Sequence, residues 1–163
     1  MSQSGMSDDY QHHCLPQYGC HQLAQEYLIS AARECCPNED QITIGIFGCS
    51  SGNNDLLAVE KFILPTLYSR FPDHSIEIFM IDISKTVWTT SRRKLTVLKS
   101  DYSNIFIQGI MANVYTPLFD GNSLDLVLSF SCLHWLNKIP IPVAVSKKSA
   151  TAASLKSFRV SRQ

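Results

Sequence analysis

No apolar run in this chain approaches the length that spans a bilayer, and the opening residues Met1 to Cys20 are too polar for a secretory leader. An excess of charge of either sign is missing as well, since 14 basic and 14 acidic residues cancel. That removes the electrostatic footprint by which nucleic acid or an anionic membrane surface is held, so neither is expected as a partner. The six cysteines (14, 20, 35, 36, 49 and 132) make no Cys-x-x-Cys pair and no evenly spaced framework. Adjacent Cys35 and Cys36 cannot bridge each other without strain. They read as reduced thiols of a cytoplasmic protein. His12, His13, Cys14, Cys20 and His21 crowd together without finger or ribbon spacing, so no metal is assigned to them. What is plentiful is apolar side chain, 45% of 163 residues, enough for one domain with a real core.

The chain is organised around Gln41-Ile-Thr-Ile-Gly-Ile-Phe-Gly-Cys-Ser-Ser-Gly-Asn-Asn-Asp-Leu-Leu57. A β-branched apolar run, Ile42 to Phe47, ends in glycines and small residues. Leu56, Leu57, Val59, Phe62, Ile63 and Leu67 then recur at helical spacing. The pattern is strand, tight turn, helix N-terminus. Gly48 and Gly52 permit positive φ and close backbone approach, and Asn53 and Asn54 stand where a helix is capped. A second apolar run, Ile76 to Ile81, ends in Asp82. An acid at that tip is where an α/β nucleotide site grips a ribose. Three readings fit the turn: a nucleotide-type cofactor site, a ligand-free βα turn, and a hydrolase elbow, because Gly48 to Gly52 spells Gly-x-Ser-x-Gly around Ser50. The elbow requires a downstream acid and histidine, and normally several strands before the serine. Few residues precede Ser50, and His134 is the one downstream histidine near a strand end.

An amphipathic helix is expected from His21 to Cys35 with Leu23, Tyr27, Leu28 and Ala31 on one face. Pro65 should kink the helix that runs to Phe71. A helix is expected around Trp88 to Leu98 and a third strand over Asn104 to Ile107. The fourth strand, Leu124 to Phe130, is nearly continuous in apolar character, as a strand buried on both faces should be. Alternating strands and helices predict an α/β parallel sheet with right-handed crossovers. No convincing strand follows, so strand four is expected at an edge, leaving the chain marginal in stability or reliant on a partner.

Five motifs in order resemble the SABATH methyltransferases, the salicylate, benzoate and jasmonate carboxyl methyltransferase family. Tyr10-Gln-His-His-Cys-Leu-Pro-Gln17 keeps the Tyr and Gln of the family's Tyr-x-x-Asn-Ser-x-x-Gln. Ile46-Phe-Gly-Cys-Ser-Ser-Gly-Asn-Asn54 resembles Asp-Leu-Gly-Cys-Ser-Ser-Gly-Pro-Asn, and Ile81-Asp82-Ile83 resembles Asn-Asp-Leu. Tyr115-Thr-Pro-Leu-Phe-Asp120 is similar to Tyr-Gly-Arg-Leu-Phe-Pro, and Cys132-Leu-His-Trp-Leu-Asn137 to Ser-Leu-His-Trp-Leu-Ser.

The resemblance implies a Rossmann-like class I methyltransferase fold of strand order 3-2-1-4, incomplete, with the later strands and helical cap missing. It divides the chain into a ligand-contacting segment (1–20) and a partial methyltransferase domain (21–139), while the Ser-, Ala- and Lys-rich composition of 140–163 reads as a disordered tail. The implied cofactor is S-adenosyl-L-methionine, contacted by Tyr10, Cys14, the Gly48, Ser50 and Gly52 loop, Asn54, Asp82, Ile83, Asn113 and Val114. Asp82 takes the ribose hydroxyls, Ile83 the adenine and Asn54 the methionyl end. Gln17, His134 and Trp135 hold the carboxylate of a small-molecule acid, and no side chain acts as a strong base. Family members continue well past the His-Trp motif. A truncated form is therefore expected, with a non-catalytic fragment as the alternative, one that binds cofactor weakly, forms a homodimer or pairs with a full-length relative. Where the family has its first-strand acid, against the cofactor's amino-acid portion, this chain has Ile46.

Overall fold

The computed structural model describes residues 15–37, 39–50, 52–83, 86–99 and 101–130. Strands β1 (Gln41–Phe47), β2 (Ser75–Asp82), β3 (Ile105–Met111) and β4 (Leu126–Leu128) form one sheet of order β3-β2-β1-β4. Every pairing is parallel. Around it lie α1 (Leu15–Leu23), α2 (Gln25–Glu34), α3 (Asn53–Ala58), α4 (Leu64–Arg70) and α5 (Thr86–Leu98). Among the described residues no helix is long and apolar enough to cross a membrane.

The strand register sets the core. Ile44 lies opposite both Leu126 and Ile78, and Ile78 opposite Ile107, so one row of branched side chains crosses all four strands. Side chains alternate across a strand, so the rows on either side of this one on the same face are Ile42, Ile76 and Ile105, and Ile46, Met80 and Leu128. These residues are buried with Leu28, Ala32, Leu56, Val59, Ile63, Leu64, Leu67 and Leu98 of the helices. Each such side chain contributes about 1.5–3 kcal/mol through burial, so the helix-covered face carries most of the stabilisation. Among the described residues the opposite face is covered more thinly. Phe119 packs its ring at 6.1 Å from Phe47 and 5.2 Å from Phe79, while Phe106 and Val127 stay about half exposed.

The strands depart from the sequence reading in length. β3 runs on to Met111, because Gln108 and Gly109 pair in register with Phe79 and Met80 despite their weak strand preference. β4 is shorter than expected and is buried on one face only, with Val127 48% exposed. Its start is marked by Asp125, whose carboxylate accepts the Thr43 N–H at 2.8 Å while its own N–H donates to Thr43 O at 2.9 Å. A side chain thus takes one place in the ladder.

The helices depart in phase. The single helix expected over His21 to Cys35 is interrupted at Ala24 (φ −85°, ψ 1°), which separates Leu23 from the rest of the expected stripe. Leu23 is 84% exposed and Tyr27 46%, whereas Leu28 and Ala32 are fully buried. Neither asparagine caps α3: Gly52, at φ 75°, occupies the cap position and Asn53 is already helical. Pro65 interrupts its helix as expected, and the interruption takes the form of a π-helical turn over Val59–Ile63 followed by α4 with proline in its first turn. Arg70 donates to the carbonyls of Ala32 (2.9 Å) and Cys35 (2.8 Å), satisfying groups that the end of α2 leaves open.

Cys20, Cys35, Cys36 and Cys49 are free thiols, of which Cys20 and Cys36 are exposed. Burial pushes the Cys35 thiol from 9.0 up to about 11, with Asp125 adding to the effect. Its thiolate fraction at pH 8 is therefore about a hundredfold lower than that of an ordinary cysteine. With iodoacetamide at pH 8 and peptide mass spectrometry, Cys20 and Cys36 are expected to be alkylated in native protein while Cys35 and Cys49 are protected until urea is added. Equal labelling of Cys35 and Cys36 would contradict this packing.

Candidate functional site

In an open parallel sheet, ligands bind beyond the carboxyl ends of the strands, where the strand order reverses. Here that place lies between β1, which leads on through β2 to β3, and β4, which returns to the other side of β1. Four segments emerge at this end: the turn after β1, Ile83 after β2, residues 112–119 after β3, and Ser129 and Phe130 after β4.

The turn after β1 is an alternation of left-handed residues, Gly48 (φ 69°), Ser50 (φ 51°) and Gly52 (φ 75°). Gly52 is required by its backbone. Its φ disfavours any side chain, and a Cβ would overlap Met80 Cε. Three contacts lash the turn to the end of β2: Gly48 N–H donates to Ile81 O at 2.8 Å, Cys49 Sγ reaches the same carbonyl at 3.7 Å, and Ser50 N–H donates to Asp82 Oδ2 at 2.6 Å. The last is a charge-assisted bond of the strong kind. Asp82 is half-buried, and a carboxylate offers about four lone-pair sites, of which the Ser50 N–H takes one. Ile83 beside it is 64% exposed, an apolar surface next to an acid.

The end of β3 meets the end of β2 through Ala112 N–H to Asp82 O at 3.0 Å. Asn113 follows and folds on itself. Its Oδ1 accepts the Tyr115 N–H at 3.0 Å, and its carbonyl accepts the Thr116 hydroxyl at 2.7 Å. Asp82, Ile83, Asn113 and Val114 therefore belong to one neighbourhood, with Ser50 bonded into it and Gly48 and Gly52 completing the turn. Asn54 lies in the first turn of α3. Gln17 lies in α1, and Tyr10, Cys14, His134 and Trp135 fall outside the described residues.

A second cluster, missed in the sequence, stands between the ends of α1, α3 and β4. His21 Nε2 lies 3.3 Å from Asp55 Oδ1, and the His21 ring packs on Phe130 at 4.0 Å between centroids. The pair is 34 residues apart in the chain, so no local pattern could reveal it. His134, the histidine that a hydrolase elbow at Ser50 would use, lies outside the described residues; of the described histidines, His21 is turned to Asp55 and Phe130, and His74 packs on Phe71.

Residues 1–158 match the family of SAM dependent carboxyl methyltransferases. The chain belongs to this family. S-adenosylmethionine is the cofactor by which the carboxyl methyltransferases are described. Salicylate/benzoate carboxyl methyltransferase of Arabidopsis thaliana is 29% identical over 130 residues, 72% of this chain and 34% of that protein. Salicylate carboxymethyltransferase of Clarkia breweri is 30% identical over 112 residues, 66% of this chain and 31% of that one. Jasmonate O-methyltransferase of Arabidopsis thaliana is 24% identical, covering 86% of this chain and 44% of the relative. A solved loganic acid methyltransferase with SAH shares the fold at a TM-score of 0.65 and 24% identity, over 83% of this chain and 41% of that structure. The match thus spans about a third of the first two relatives and under half of the others.

The residues present suit the carboxyl methyltransferase cofactor at the turn and at Asp82, where left-handed backbone approaches an acid. They do not suit it at position 46. Ile46 is fully buried in the helix-covered face of the sheet, with no acid there to meet an ammonium. Restoring the family's acid by Ile46→Asp should therefore unfold rather than improve the site. The expected cost is about 3–5 kcal/mol for a buried unpaired carboxylate. Urea unfolding of the two proteins measures it, and a variant of undiminished stability would show that position 46 faces the site.

Proposed function

We propose that this chain binds S-adenosylmethionine at the carboxyl end of its sheet and directs the methyl group to the carboxylate of a small-molecule acid, giving a methyl ester. The observation that carries the reading is the 2.6 Å bond from Ser50 N–H to Asp82, which brings the glycine turn and the β2 acid into one rigid corner at the place where the strand order reverses. Asp82 would accept from the ribose hydroxyls while Ile83 lies against the adenine, with Asn113 and Val114 at the neighbouring strand end. Asn54, at the start of α3, would meet the methionyl end. Gln17, His134 and Trp135 would hold the acid by side-chain N–H donors.

Bound cofactor supplies a sulfonium methyl, whose transfer to a carboxylate oxygen breaks the C–S bond, leaves the electron pair on sulfur and releases no proton. A carboxylate is already ionised at neutral pH, so no general base is called for. The protein's part is to hold an oxygen about 3 Å from the methyl carbon and to keep water out. Weak cofactor binding without turnover is a second reading: Ile46 stands where the family has its first-strand acid, so the family's full set of cofactor contacts is not present.

Calorimetry with S-adenosylmethionine and S-adenosylhomocysteine, together with radiolabelled methyl transfer to a panel of aromatic and aliphatic acids, tests both readings. Asp82→Ala is expected to weaken cofactor binding by about 1.5–3 kcal/mol, the usual worth of hydrogen bonds to a charged group. Ser50→Ala should leave any ester hydrolysis unchanged. Binding with no ester formed selects the second reading, and no binding by the wild type sinks both.

A further inference from the structure

His21 is the one polar residue buried among the described residues, at 2% exposed. A buried imidazole costs free energy unless its ring nitrogens are satisfied, so its position requires an explanation. A carboxylate only accepts, so Nε2 carries the hydrogen and donates to Asp55 Oδ1 at 3.3 Å. Both side chains are largely out of water, 3% and 13% exposed. The other side of the ring is closed by Phe130, tilted 50° at 4.0 Å.

The three residues come from three distant parts of the chain. His21 is near the end of α1, four residues after Gln17. Asp55 is in the first turn of α3, the residue after Asn54 and three after Gly52. Phe130 follows β4, on the path to His134 and Trp135. They therefore converge at the reversal of strand order, between the exits of β1 and β4. Phe130 packs against the main core, so the His21 ring ties α1 to that core as well as to Asp55.

We infer that His21 is a positioning residue of the site: by clasping Asp55 and packing on Phe130, it fixes α1 against the glycine turn and the β4 exit, so that the acid-holding and cofactor-holding segments keep one relative placement. The inference rests on the function proposed above, and it makes a claim that does not require ligand. Loosening the clasp should loosen two segments far apart in sequence, α1 and residues 48–56, together. His21→Phe keeps a ring on Phe130 and removes the donor. Asp55→Asn keeps the shape and removes the carboxylate, and it serves as the second probe should the first variant fold poorly.

The test is amide hydrogen exchange of the ligand-free full chain, read by mass spectrometry, beside calorimetry with S-adenosylhomocysteine. In each single variant, peptides covering α1 and 48–56 are expected to exchange at least fivefold faster while those covering β2 and β3 keep their wild-type rate. Affinity for S-adenosylhomocysteine should fall at least fivefold, and the double variant should be no worse than the weaker single, the mark of one shared interaction. Unchanged exchange over 48–56 in both singles would overturn the inference, as would a lower unfolding temperature with unchanged affinity. If the wild type binds no S-adenosylhomocysteine, the functional proposal fails, and the exchange of 48–56 alone decides the clasp: faster supports it, unchanged overturns it.

Discussion

The bond between Ser50 and Asp82 is the constraint on which the functional end of the molecule depends. A turn containing three left-handed residues has many ways to be arranged and loses much entropy on choosing one. Asp82 selects one arrangement by accepting the Ser50 N–H at 2.6 Å, and Ile81 secures it again through Gly48 and Cys49. The start of α3 is thereby set, since Gly52, its cap, comes two residues after Ser50. Asp55 follows in the first turn, and with it the junction to α1. One carboxylate at the tip of β2 thus governs the geometry of both clusters.

Much of the fold could be read from the chain. The β-branched runs around Ile44, Ile78, Ile107 and Leu126 announce buried parallel strands, and their spacing announces helices between them. The strand order came from family resemblance rather than from periodicity, and the structure has it. What stayed hidden depended on tertiary context. The break at Ala24 carries no glycine or proline to mark it, and within α2 the buried face passes through Leu28 and Ala32 rather than Tyr27. Gly109 and Gln108 look like poor strand residues, yet a ready-made neighbour in β2 holds them in register. Asp125 reads as part of a turn, and only the Thr43 backbone beside it turns it into a rung of the ladder.

The candidate site divides along the same line. Gly48, Ser50, Gly52 and Asp82 were legible because each does something that few residue types can do at a strand end. His21 and Asp55 were not, because they stand 34 residues apart and no local pattern joins them. Ile46 is the instructive case. As a departure from family pattern it reads as a lost ligand; in the sheet it is one of a row of core residues, and its alkyl chain is at home there.

Gly52 and Met80 form a joint constraint on how this sequence can change. Any side chain at 52 meets Met80 Cε, and shortening Met80 to make room would open a void in the buried row beside Ile46 without relieving the left-handed backbone. The left-handed backbone holds position 52 to glycine whether or not selection for chemistry still acts on the turn. Persistence of the glycine is consequently a poor marker of activity in chains of this kind, and the exposed flank at Ile83, free of such packing demands, is a better place to look for relaxed selection.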